Sequence, residues 1–203
     1  VAKSIGVLAE LDNWVTNQAI KDLPKLRKAS HSKALLSVNI STPSFLAPDT
    51  AKNLIQLLAN QSLSSKDLMI EITEQSLIQG SQPITQQFIA TGIQLAIHNF
   101  GSGTSSLAYL DQISHCTVKI DKCFSAKIEQ TTSTVIGIHK ILQALNINTI
   151  TEGVETPSQS AHLNIIGLEL QQGFALAHPQ PLSFYLEKAK NLAHIELSSC
   201  SLT

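Results

Sequence analysis

Six short apolar runs, each with a polar or ionisable residue at its carboxyl end and each separated from the next by a helical stretch, limit what this chain can fold into. The runs are Ala34 to Asn39, Leu68 to Ile72, Gln94 to Ile97, Cys116 to Ile120, Ile147 to Thr151 and Glu169 to Gln172. Strands that alternate with helices return by right-handed crossovers and build a mainly parallel sheet, either open and doubly wound or closed as a (β/α) barrel. The strand ends carry Asn39, Glu71, His98, Lys119 with Asp121, Glu152 and Gln172. A barrel brings all such ends to one rim, whereas an open sheet gathers a site only at its switch point, so the repeated polar ends favour an α/β, TIM-type (β/α) barrel.

The spacing of Leu11, Trp14, Val15 and Ala19 predicts one amphipathic helix with Trp14 as its core anchor, and Val135, Ile138, Leu142 and Leu145 predict another. Thr156-Pro157-Ser158-Gln159 marks a helix start: a capping threonine, a proline at the first helical position and a glutamine able to close a capping box. No internal repeat, low-complexity tract or linker divides the 203 residues, so residues 1–203 read as one domain with a Ser-rich, frayed tail over 197–203. A complete barrel of this type needs about 250 residues and eight strands. The expectation is therefore a barrel that lacks its first strands and is incomplete or completed by a partner.

Charge narrows the partners. Lys plus Arg number 14 and Asp plus Glu 15, a formal net charge of −1, which supplies no field to draw duplex nucleic acid or an anionic membrane surface. No apolar run approaches the roughly 20 residues of a spanning helix. Cys116, Cys123 and Cys200 lack metal-type spacing and read as free thiols, with Cys116 a small buried hydrophobe. This predicts a cytoplasmic setting, free or as the cytoplasmic module of a larger membrane-anchored protein. His31, His115, His139, His162, His178 and His194 show no ligand spacing and read as surface or capping groups.

Carboxylates, an amide and a lysine on one rim form a set that suits Mg²⁺ or Mn²⁺ and a phosphate ester, because hard cations take oxygen ligands and a lysine offsets phosphate charge. The glycine loop after Phe100 can tighten a strand-to-helix turn and aim backbone N–H groups at an anion. Val38-Asn39-Ile40-Ser41, Ile70-Glu71-Ile72-Thr73-Glu74, Phe100-Gly101-Ser102-Gly103-Thr104-Ser105-Ser106-Leu107, Val118-Lys119-Ile120-Asp121, Glu152-Gly153-Val154-Glu155-Thr156 and Gln172-Gly173-Phe174 together resemble, in order and spacing, the successive motifs of the EAL domain. These are bacterial modules that hydrolyse or sense cyclic di-GMP, and the resemblance covers nearly the whole chain.

The resemblance implies a modified TIM-type barrel in which two divalent cations activate the water that opens a phosphodiester of the cyclic dinucleotide. It implies that Asn39, Glu71 and Glu152 are metal ligands, with Glu152 near the water. Lys119 is then the lysine that contacts water and phosphate, so Lys119 and Glu152 mark the catalytic positions. Glu74 would hold the loop. Gly101, Ser102, Gly103, Thr104, Ser105, Lys119, Asp121, Glu155, Gln172 and Gly173 are the ligand-binding positions. A second copy of the chain is implied as a partner, since family members commonly pair through helices beside that loop.

Two departures point away from hydrolysis. The family carries an Asp-Asp pair before Phe-Gly; this chain has His98-Asn99. A carboxylate can span two cations, whereas an imidazole offers one nitrogen lone pair and an amide a neutral carbonyl. Two cations roughly 3.5–4 Å apart then repel one another without compensation. The Glu-Ala-Leu signature is also absent, Ala9-Glu10-Leu11 being a helix start, and the chain reads as beginning downstream of the signature strand. The expected function is a catalytically inactive cyclic di-GMP receptor that reports to an effector protein or attached domain, with Mg²⁺ or Mn²⁺ held only as far as the remaining ligands allow. A nucleotide-independent interaction adaptor and an active Mg²⁺- or Mn²⁺-dependent phosphodiesterase remain as alternatives.

Overall fold

The structure, a computed structural model, describes residues 7–30, 32–80, 82–101 and 116–189. The elements run α1 (Leu8–Ser30), β1 (Leu36–Asn39), α2 (Thr42–Leu46), α3 (Thr50–Ala59), a 3₁₀ turn (Ser65–Asp67), β2 (Leu68–Thr73), α4 (Glu74–Gln79), α5 (Gln82–Thr91), β3 (Gln94–Phe100), β4 (Cys116–Ile120), α6 (Lys122–Ser125), α7 (Ile128–Ala144), β5 (Asn148–Thr151) and α8 (Pro157–Ile165). A further helix covers 182–189. The five strands pair in the order β1-β2-β3-β4-β5, all parallel, which is the wall of a barrel wound in one direction.

The sixth run contributes only an isolated parallel bridge, Thr151 to Gln171. Its backbone still follows the ladder, with Thr151 N–H donating to Leu170 O at 2.9 Å and Gln172 N–H to Thr151 O at 2.8 Å. Gly173 then breaks the extension by pressing against the backbone of Val154. Among the described residues no pairing joins β1 to the Gln171 end, so the sheet is an open arc. The frayed tail expected over 197–203 lies outside the described residues.

Strand alternation sorts the side chains. Val38, Ile70, Ile72, Leu95, Ile97 and Val118 face the helices and pack with Ile20, Leu54, Leu58, Phe88 and Leu142. Phe45 and Phe88 are fully buried and stack with ring centroids 5.1 Å apart. A second cluster joins Ile120, Ile128, Val135, Val154, Leu163 and Leu168 under α7 and α8. On α7 the predicted stripe holds: Val135 and Leu142 are buried, and Ile138 and Leu145 are partly buried against the core. The predicted capping box at Thr156 also forms, with Gln159 N–H donating to Thr156 Oγ1 and Thr156 N–H donating back to Gln159 Oε1.

The first helix is rotated relative to expectation. Trp14 is 66% exposed, and Leu11 and Val15 also face outward; only Ala19 of that stripe meets the core. The inward stripe is Asp12, Thr16, Ile20, Leu23 and Arg27, at helical spacing. Its ends are polar anchors. Asp12 Oδ2 accepts from Ser41 N–H at 2.8 Å and from Ser44 Oγ at 2.6 Å, at the start of α2. Arg27 donates to Ala34 O at 2.9 and 2.6 Å and pairs with Asp67 at 2.8 Å. Directional bonds at both ends fix the helix's rotation, and the larger Trp14 ring is left outside.

Cys116 is a buried free thiol pushed up to about 12 by its burial, and Cys123 is an exposed free thiol. Among the described residues no helix is long and apolar enough to cross a membrane.

Replacing Phe88 by Ala is expected to cost about 3–5 kcal/mol in urea unfolding, and Trp14 by Ala less than about 0.5 kcal/mol. The Arg27 guanidinium and the Ser64 N–H hold the Asp67 carboxyl at about 2, below its ordinary 3.8. A depressed carboxyl stabilises the fold above its unfolded value and loses that contribution as pH falls through the folded one. Asp67→Asn should therefore flatten the fall in stability between pH 3.8 and about 2, measured by denaturation at a series of pH values.

Candidate functional site

The inner face of the arc is polar at the carboxyl end. Strand period places Ser37 and Asn39 of β1 on it, and Asn39 stands in register with Glu71 of β2. Ala96 of β3 is the register neighbour of Glu71. It pairs on its other side with Thr117 of β4, two residues before Lys119. Lys119 Nζ donates to Glu71 Oε2 at 2.8 Å and to Glu152 Oε1, just past β5, at 2.9 Å. Ser37 Oγ donates to the other Glu71 oxygen at 2.5 Å. A relay thus runs Ser37, Glu71, Lys119, Glu152 across β1, β2, β4 and the end of β5. Glu71 and Lys119 are buried and Glu152 is half-buried.

Burial opposes the charge on Lys119, but hydrogen bonds and attraction from Glu71 and Glu152 overcome it and hold the ammonium above its ordinary 10.5. The relay carries two carboxylates and one ammonium, so it is net negative by one charge.

At the end of β3 the pairing with β4 shifts register between Ile97 and Phe100. Asn99 takes φ 58°, a left-handed conformation that asparagine tolerates better than most residues. The irregularity leaves His98 half-buried and Asn99 exposed. Gly101 follows at φ 86°, where a Cβ would come within 2.7 Å of the Phe124 ring. Ser102, Gly103, Thr104 and Ser105 lie outside the described residues, as does most of the loop that Glu74 is expected to hold. Glu74 itself opens α4 behind the capping Thr73.

A cleft of about 400 Å³ opens beside the relay, lined by Asn99, Lys122, Glu152, Glu155, Gln172 and Phe174 with Gly153 and Gly173. Its floor is backbone. At Gly173 a Cβ would meet Val154 O at 2.2 Å, and at Gly153, φ 64°, it would meet Lys122 Cβ at 2.3 Å. Ser125 Oγ donates to Glu152 O at 2.5 Å and Gly153 O at 3.1 Å, which ties α6 to the same turn. Phe174 is 54% exposed and stacks on His178 with centroids 4.4 Å apart.

The fold thus brings Asn99, Glu152, Glu155, Gln172 and Gly173 into one cleft and Glu71, Lys119 and Glu152 into one relay. Asp121 stands apart from the cleft lining: it is buried, and its Oδ1 accepts from Cys123 N–H at 2.7 Å as the cap of α6. Ser37 and Lys122 are contributors outside the motifs, and Phe174, though it stands in the last motif, was assigned no role there. Ser37 could have been found from its place two residues before Asn39, on the same face of β1.

Among the described residues no three His, Cys, Asp or Glu side chains converge as a metal site. Both oxygens of Glu71 are already engaged, and β3 presents an imidazole and an amide where a pair of cations would need shared negative charge. This donor set does not fit two divalent cations side by side.

An all-parallel arc of alternating strands and helices, with a lysine clasped between carboxylates at the carboxyl rim and a glycine-floored cleft beside it, defines a TIM-type barrel protein whose site sits at the strand ends. The EAL domain profile matches residues 1–179, and the chain belongs to that family. It is 31% identical over 189 residues to the cyclic di-GMP phosphodiesterase NbdA of Pseudomonas aeruginosa, covering 90% of this chain and 24% of NbdA. It is 30% identical over 186 residues to the cyclic di-GMP phosphodiesterase PdeR of Escherichia coli K12, covering 89% of this chain and 28% of PdeR. The chain therefore spans about a quarter of the length of these relatives. Among solved structures, the EAL enzyme Bd1971 in its cAMP- and cyclic-di-GMP-bound form superposes with a TM-score of 0.86 at 27% identity, covering 93% of this chain and 54% of that one.

Removing the lysine strands a buried carboxylate. Lys119→Met is expected to cost about 3–5 kcal/mol in urea unfolding, with part recovered in Lys119→Met/Glu71→Gln. Because the ammonium's folded value is raised, its contribution is complete below pH 10.5 and fades only above it. The gap between wild type and the single variant should narrow as pH rises above 10.5.

Proposed function

We propose that this chain is a cyclic di-GMP receptor module that has lost hydrolysis. The observation that carries the reading is Lys119 held between Glu71 and Glu152 while β3 ends in His98-Asn99 instead of carboxylates. The lysine already neutralises much of the charge that a divalent cation would otherwise offset. Binding then needs no metal.

The cleft supplies the recognition chemistry. Glu155 offers a carboxylate that can accept from the N–H edge of guanine, and Gln172 offers both a donor and an acceptor. Lys122 is the cationic side chain among the lining residues and faces the need to balance phosphate charge. The Phe174 ring, seated on His178, gives a flat surface on which a base can stack. An effector protein or an attached domain would read the occupied state, and a second copy of the chain is a further candidate partner. The names of NbdA and PdeR and the ligand bound to Bd1971 support cyclic di-GMP as the ligand class.

Isothermal titration of the full chain with cyclic di-GMP, in EDTA and then with Mg²⁺ or Mn²⁺, tests the proposal. Binding of equal strength in both buffers, without release of the linear dinucleotide, is expected. Glu155→Ala should weaken it about tenfold or more, the effect of removing a charged hydrogen-bonding partner. Turnover in Mg²⁺ or Mn²⁺ would establish the phosphodiesterase instead. A silent titration together with partner capture that ignores the nucleotide would establish the adaptor.

A further inference from the structure

We infer that Ser125 is a positioning residue that keeps the Glu152 carboxylate on Lys119 and so keeps a loose negative charge out of the cleft; its effect on binding rests on the receptor reading above. Ser125 closes α6, is fully buried and forms no part of the cleft wall. It can act on a ligand only through its neighbours.

The segment it fastens would otherwise be loose. β5 ends at Thr151, and Glu152 and Gly153 run on past the strand. Glu152 N–H still donates to Ile120 O at 3.0 Å, but among the described residues no backbone N–H reaches the carbonyls of Glu152 or Gly153. Gly153, at φ 64°, has no Cβ to restrict the peptide planes on either side of it. Ser125 Oγ lies 2.5 Å from Glu152 O, 3.1 Å from Gly153 O and 3.1 Å from Lys122 O of its own helix. A hydroxyl has one proton, and the shortest contact receives it. A fully buried hydroxyl is costly unless bonded, so this bond fixes the peptide plane directly after the Glu152 Cα.

What that plane controls is the weaker arm of the relay. Glu152 Oε1 accepts from Lys119 Nζ at 2.9 Å, and its side chain is 20% exposed against 8% for Glu71. Glu71 is also held by Ser37, so Glu152 is the carboxylate able to leave. Glu152 lines the cleft as well. Released from Lys119, it would compete with a phosphate for Lys122, the cation of the cleft lining. Ser125 thereby sets how much anion the cleft tolerates without touching the ligand.

The test uses the full chain in two parts. Without ligand, the ¹H–¹⁵N resonance of the buried Lys119 ammonium reports whether Glu152 is bound to it. Ser125→Ala is expected to move that resonance in the direction that Glu152→Gln does, and to add nothing when combined with Glu152→Gln. In titration with cyclic di-GMP in EDTA, Ser125→Ala should weaken binding about five- to tenfold, the size of one hydrogen bond. In the Glu152→Gln background the same change should weaken it less than about twofold. Ser125→Cys, close in size and only a weak donor, replaces the alanine variant if that chain does not fold. An unmoved Lys119 resonance in a folded variant, or equal weakening in both backgrounds, as for a residue that serves only the fold, would overturn the inference. A wild-type chain that does not bind cyclic di-GMP would overturn the receptor reading instead, and the Lys119 resonance would still decide the role of Ser125.

Discussion

One ammonium group organises the interior of this sheet. Lys119 on β4 bonds Glu71 on β2, so its side chain spans the intervening β3. Having crossed, it bonds carboxylates from two sides, so that strands not adjacent in the sheet are held by side chains as well as by their common neighbours. A buried charge set of this kind contributes little net stability when complete and costs a great deal when broken. It does fix orientation. Ser37 anchors one Glu71 oxygen and leaves the other aimed at Lys119.

The end of β3 bears on the same charge balance. Where His98 and Asn99 stand, a carboxylate pair would add negative charge to a relay that is already net negative, and cations would be needed to balance it. His98 and Asn99 add no further carboxylate to it. The left-handed turn at Asn99 meanwhile carries that residue out to the cleft, where it forms part of the wall a ligand would meet.

Much of this was legible in the sequence, for reasons that can be named. The strands were visible because alternation and the polar strand ends are local signals, and the start of α8 because Thr156, Pro157 and Gln159 are each specific to one cap position. Trp14 misled because apolar periodicity alone does not say which of two neighbouring stripes turns inward. Asp12 and Arg27 decided it through bonds to residues far along the chain, Ser41 and Asp67. The sixth run looked like a strand, yet Gly173 ends it after a single bridge. Motifs pointed to Glu71, Lys119 and Glu152 one by one. Their union through a single ammonium depends on reach across a third strand, and no spacing rule encodes that.

The two glycines under the cleft divide its surface into a part that sequence change can reach and a part that it cannot. At Gly173 and Gly153 any side chain would drive into main-chain or Cβ atoms within 2.3 Å, so the floor has one shape for every viable sequence. Glu155, Gln172 and Phe174 stand around it with no left-handed backbone of their own. Divergence in what such a cleft recognises is thereby confined to its walls, and related proteins can exchange preferences a residue at a time without first rebuilding the depth of the site.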